Sequence, residues 1–396
     1  MKLGTSSMVV AAFVGPGTVL TCASAGVGFG YGLGWVLLFA TAAVFVLQSL
    51  TAGTGILAGR GLGEALREAA TTPVRRTLLF GLVILGLWVG CAAFEAGNLL
   101  GAAAGIQMIL SADVNPRWAV LLISAVAGLL LLLNLRALTQ ALALLVGLMS
   151  LLFLATLLIA PVDWGAALRG LFVPSLPEGS LLTVLALIGT TIVTYNLFLH
   201  ASAAHRYWEG TPPQRAWRSE LTGMALFLPL GGLISFAILI AGATLSGTGA
   251  QVDTVAAFAQ LLEPTAGPAA RYLFGLGLFA AGITSAVTAP LAAAGGIREI
   301  FGWPDEGGRF RMIWASVLLV GLAFGLSGLS PLRVIIAAQA ANGLLLPLIA
   351  AFVLYLTYRQ QAVALPRWYL IAGVGVTIVC AGLGARTLWW AFTAGF

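Results

Sequence analysis

Long apolar runs alternate with short polar breaks along the whole chain. The runs cover 8–29, 34–58, 77–107, 118–135, 138–160, 181–204, 221–247, 270–295, 312–329, 332–357 and 367–391. Each holds the roughly 20 apolar residues that a helix needs to cross a bilayer. The breaks carry turn formers: Asn115-Pro116, Pro161-Val162-Asp163, Thr211-Pro212-Pro213 and Trp303-Pro304-Asp305. The pattern predicts an all-α integral membrane protein of about eleven transmembrane helices. The first run follows Met1-Lys2-Leu3-Gly4 and continues past residue 28, longer than a signal-peptide core, so it is expected to be a retained span.

Composition sharpens this. Of 396 residues, 60% are hydrophobic and 8% charged, against about 25% charged in a soluble domain. So few charges cannot dress a water-facing surface, which excludes a soluble fold. The net charge of +6 is explained by position. With the N-terminus in the cytoplasm, fourteen Lys and Arg fall in inner segments and five outside. The expected topology in the cell's inner (plasma) membrane is therefore multi-pass, N-terminus cytoplasmic and C-terminus outside. The basic charge then faces anionic lipid rather than nucleic acid. Cys22, Cys91 and Cys380 lie far apart in apolar stretches, without metal-ligand spacing. No nucleophile, base and oxyanion set and no phosphate loop is present, so no enzyme activity is expected.

Eleven spans can be ten plus one. One transporter plan places two five-helix repeats in inverted orientation, with the first helix of each repeat discontinuous and the substrate between the breaks. On that plan the chain is one transporter domain over 1–396, with repeats at about 8–160 and 181–357 and an extra helix at about 367–391. Span 1 carries Val14-Gly15-Pro16-Gly17-Thr18, where proline removes a donor and glycine weakens the helix. Span 6 carries Gly189-Thr190-Thr191-Ile192-Val193-Thr194-Tyr195-Asn196 at the equivalent place. A 5+5 inverted repeat with helices 1 and 6 broken is expected.

These residues resemble the Nramp family of proton-coupled divalent-metal transporters over essentially the whole chain. Ala11-Ala12-Phe13-Val14-Gly15-Pro16-Gly17-Thr18 resembles the family's first-helix segment. Gly55 to Glu64 resembles its second helix and following loop, and Gly189-Thr190-Thr191 with Asn196-Leu197-Phe198-Leu199-His200 its sixth. Thr288-Ala289-Pro290 is similar to the eighth, and Gln339 to Pro347 to the tenth. The resemblance implies the leucine-transporter-type fold, alternating access, an ion or small-molecule substrate, H+ as coupling ion, no cofactor, and a monomer in the lipid bilayer.

It also implies what has changed. The family's first-helix aspartate ligand is Gly15 here, and its asparagine ligand is Thr18. The sixth-helix Met-Pro-His is Val193-Thr194-Tyr195. Of two third-helix acids, one is kept as Glu95 and one is Asn98. The tenth-helix glutamine is kept as Gln339, and a sixth-helix histidine as His200. No metal ligand set is expected at the usual positions. Candidate substrate-binding residues are Gly15, Thr18, Thr190, Val193, Thr194, Tyr195 and Gln339. Candidate proton-coupling residues are Glu95, Asn98 and His200. Glu95 is the one acid inside a predicted span, and the other twelve fall in loops or at span ends. A dehydrated transition-metal ion needs several close ligands, and this set offers few. Three readings stay open: a hydrated divalent cation such as magnesium, a small organic solute, or a non-transporting sensor or scaffold with the same fold.

Overall fold

A computed structural model describes residues 5, 15–110, 115–133, 151, 154–155, 157–158, 162–246, 267–304, 307–359 and 365–394. Among these the chain is helical, with no strand. The helices are α1 Pro16–Phe29, α2 Gly34–Leu57, α3 Leu62–Ala69, α4 Pro73–Leu110, α5 Pro116–Leu132, α6 Trp164–Phe172 and α7 Leu181–Thr191. They continue with α8 Thr194–Tyr207, α9 Pro213–Ala243, α10 Pro268–Phe301, α11 Gly308–Leu326, α12 Pro331–Arg359 and α13 Arg367–Ala394. Among the described residues, eight spans are long and apolar enough to cross a bilayer, counting α7 and α8 together. The span expected at 138–160, apart from isolated positions, and residues 8–14 of the first span lie outside the described residues.

Proline sets many of the starts. Six helices begin on it, at Pro16, Pro73, Pro116, Pro213, Pro268 and Pro331. A first-turn N–H has no helical partner, so proline costs nothing there and its fixed φ is already helical. Asn115 and Asp163 cap α5 and α6 with their side chains. Two short amphipathic helices, α3 and α6, were not among the expected runs.

One expectation is corrected. α9 begins at Pro213 rather than 221 and α10 runs to Phe301 rather than 295. Both extensions carry an acid into the interior: Glu220 is 0% exposed and Glu299 6%. Glu95 is therefore not the one acid inside a span, since Glu220 and Glu299 lie within α9 and α10.

The two halves pack alike. α4 and α10 make the most extensive helix contact. α1 packs on α9 as α8 packs on α2, and α11 packs on α4 as α5 packs on α10. Exchanging the halves maps each pair onto its counterpart, as a 5+5 repeat requires. Lipid supplies no hydrophobic drive between helices, so close packing of small residues must hold them. A methyl placed on Gly105 of α4 would lie 2.5 Å from the Gly275 carbonyl oxygen and 2.6 Å from the Phe279 nitrogen of α10. Large apolar side chains instead face outward on α11 and α13, including Leu319, Ile371 and Ile378.

Gly105→Val is expected to force α4 from α10 and cost about 1–3 kcal/mol. The thermal unfolding midpoint in detergent should fall. Gly86→Ala, on the same helix with open space around it, should leave the midpoint unchanged or raise it slightly.

Candidate functional site

Two non-helical points lie inside the bundle: Gly15 at the start of α1, before which residues 8–14 lie outside the described residues, and the break between α7 and α8. Gly15 precedes α1 in extended conformation, with φ −103° and ψ −175°. α7 ends at Thr191 and α8 begins at Thr194; between them Ile192 has φ −101°, ψ 79° and Val193 φ −82°, ψ 123°. This second break has no proline. Five successive β-branched residues, Thr190 to Thr194, weaken the helix there. Asn342 of α12 then holds the break open. Its Nδ2 donates to the Gly189 carbonyl at 2.7 Å and the Ile192 carbonyl at 3.0 Å, and its Oδ1 accepts from the Thr194 hydroxyl at 3.0 Å.

The breaks are joined directly. The hydroxyls of Thr18 and Thr190 lie 2.8 Å apart. Gln339 lies across the first turn of α1, since a methyl on Gly17 would sit 1.9 Å from its Nε2. A methyl on Gly15 would sit 2.5 Å from the Ser285 Oγ of α10 and 3.9 Å from the Asn98 Oδ1 of α4. Asn98 Nδ2 donates to Glu95 Oε2 at 3.4 Å. Glu95 is fully buried, and Gly321 of α11 packs against its Cβ and Cγ. Tyr195 is buried in the first turn of α8, its ring edge-on to Phe94 with centroids 5.7 Å apart. Val193 is buried between the half-helices. The structure thus gathers Gly15, Thr18, Thr190, Val193, Thr194, Tyr195, Gln339, Glu95 and Asn98 around the two breaks.

His200 belongs to a different group. Its Nε2 lies 3.0 Å from Glu220 Oε1, and both side chains are fully buried. Glu220 also accepts from Trp208 Nε1 at 2.6 Å, Thr5 N at 3.2 Å and Thr5 Oγ1 at 2.9 Å. One carboxylate therefore ties α8, α9 and the residue Thr5 together. Glu299 has an analogous place, its Oε2 accepting from Gly63 N of α3 at 3.2 Å. Sequence reasoning missed Glu220 and Ser285. Glu220 stood one residue outside an expected span, and Ser285 looks like any hydroxyl of a membrane helix.

The family model described as natural resistance-associated macrophage protein-like, Nramp, matches residues 6–390. The chain belongs to the Nramp family. Among its relatives is the protein of Verminephrobacter eiseniae named divalent metal cation transporter MntH, 30% identical, covering 96% of this chain and 86% of that protein. The MntH protein of Burkholderia ambifaria is 28% identical, covering 98% and 89%. Among solved structures, the Eremococcus coleocola manganese transporter in complex with an aromatic bis-isothiourea compound matches with a TM-score of 0.76. It is 20% identical and covers 96% of this chain and 85% of that one. The nucleobase-cation-symport-1 transporter Mhp1 matches with a TM-score of 0.61 at 13% identity, covering 97% and 93%. The fold of this Nramp chain is the leucine-transporter type, in a multi-pass membrane protein. Its relatives are transporters, which are not enzymes.

Asn342→Leu strips the partner from two carbonyls and a hydroxyl at the break. At about 1–3 kcal/mol per buried group left unpaired, it should lower the unfolding midpoint clearly. Thr357→Val on the same helix, whose hydroxyl only back-bonds to Val353, should not. Glu220→Leu leaves the donors of His200, Trp208 and Thr5 buried without an acceptor and is expected to cost about 2 kcal/mol or more. The same thermal measurement checks it.

Proposed function

We propose that this chain is a secondary-active transporter of a divalent cation, taken up between the helix breaks with much of its water shell retained. Magnesium fits this best. The reading is carried by the chemistry at the start of α1. Gly15 presents no side chain, and the nearest groups are the neutral Ser285 hydroxyl and Asn98 amide. Stripping a divalent ion of water in low dielectric without close anions is prohibitive. Manganese or iron would need carboxylate, thioether or imidazole ligands in contact, whereas magnesium dehydrates reluctantly and keeps several waters. The cation class itself is supported by family membership and by relatives named divalent metal cation transporters.

In this reading Thr18, Thr190, Thr194 and Gln339 meet the hydration shell, Tyr195 and Val193 close the site, and Glu95 supplies charge from behind Asn98. Glu95 also accepts the coupling proton, with Asn98 orienting it, while His200 acts with Glu220. The working unit is a monomer of one domain in the inner membrane, N-terminus inside. A second reading, a small organic solute, is favoured by one observation. Among the described residues, no three His, Cys, Asp or Glu side chains come together to hold a metal.

Protein in liposomes with an internal divalent-sensitive dye should take up Mg2+ saturably, with no preference for Mn2+. Glu95→Gln should slow that uptake at least about tenfold, since a buried hydrogen bond to a charged group is worth at least about 1.4 kcal/mol. High-affinity uptake of Mn2+ over Mg2+ would sink the hydrated-ion reading. No divalent flux, together with calorimetric binding of an organic solute, would favour the second.

A further inference from the structure

Among the described residues, three buried oxygens around the start of α1 have no hydrogen-bond partner: Ser285 Oγ, Gln339 Oε1 and Glu95 Oε1. Their side chains are 2%, 3% and 0% exposed. A polar atom left unpaired in low dielectric is costly, so an orphan in a native interior calls for a reason. Ser285 is the informative one. Its neighbours on α10, Thr284 and Thr288, are equally buried, but their hydroxyls bond to the helix itself. Thr284 Oγ1 donates to the Ala281 carbonyl at 2.9 Å, and Thr288 Oγ1 to the Thr284 carbonyl at 2.7 Å. Such back-bonding is the default for a hydroxyl in a membrane helix. Ser285 forgoes it and points at Gly15, its Oγ standing 2.5 Å from where a side chain at position 15 would begin.

We propose that Ser285 is a substrate-contacting, specificity-determining residue, its hydroxyl supplying from α10 a neutral oxygen in the space that a side chain at position 15 would fill. It rests on the cation reading above and deepens it. A serine hydroxyl has two lone pairs and one donor. It can accept from a water of the cation's shell and turn its own proton away, toward Gln339 Oε1 or Glu95 Oε1 through further water. A hydroxyl contributes no net charge, so it holds a hydrated ion without the pull that strips its water. The site therefore discriminates by hydration: an ion that keeps its shell is held, and one that demands direct anionic ligands gains nothing.

The test is cation uptake by protein in liposomes, with KM and kcat measured for Mg2+ and Mn2+. Ser285→Ala should raise the Mg2+ KM about tenfold, the loss of one hydrogen bond to a charged cluster, with kcat within about twofold. Ser285→Thr keeps the hydroxyl and should restore KM. Thr284→Ala removes a buried hydroxyl that faces the helix and should leave KM unchanged. Thermal midpoints of all three report folding. Unchanged KM in Ser285→Ala, or an equal rise in Thr284→Ala, overturns the inference while leaving cation transport standing. Wild-type protein without cation flux overturns the transport reading, and the inference with it.

Discussion

A broken helix inside a bilayer must find partners for the backbone groups that the break releases, because no lipid can supply them. Asn342 meets that demand at the second break. One side-chain amide gives both its protons to carbonyls on either side of the discontinuity and takes the Thr194 hydroxyl on its oxygen. The amide is used almost to capacity, which makes the bent backbone affordable. On either side of the break that Asn342 spans, the first turn of α8 places Tyr195 against Phe94 and the end of α7 brings Thr190 to Thr18.

The first break is built from different parts. Proline at position 16 removes one donor, and Gly15 in extended conformation lets α4 and α10 approach. The closeness is mutual, since a methyl on Gly101 of α4 would lie 2.3 Å from the Pro16 Cβ. The small side chains that let helices pack tightly in lipid also leave room at the centre for hydroxyls and amides to converge. Packing and site chemistry therefore share one cause.

Buried acids divide by their partners. Glu220 accepts from Thr5 and Trp208, contacts His200 at hydrogen-bond distance, and behaves as a structural anchor. Glu299 is bound to the start of α3. Among the described residues, Glu95 has one long bond to Asn98 and an oxygen with no partner. An anchor uses its oxygens on its own chain, while Glu95 keeps hydrogen-bonding capacity in reserve. That difference separates Glu95 from the other two, although all three are buried.

The sequence by itself determined the class of molecule. Apolar runs of bilayer length, few charges and proline at the helix starts are local properties, and local physics suffices to read them. The first break was legible from Gly15-Pro16-Gly17 for the same reason. The second was legible only by its equivalent place in the repeat, because its β-branched run is permissive and the decisive amide lies about 150 residues away. His200 and Glu95 look like one proton-handling set along the chain, yet the fold gives His200 to Glu220. Thr284, Ser285 and Thr288 read alike as hydroxyls of one helix. Helix rotation and neighbouring side chains decide which of them bonds to its own backbone and which faces the break. Partnership of polar groups is non-local, so only the tertiary structure could assign it.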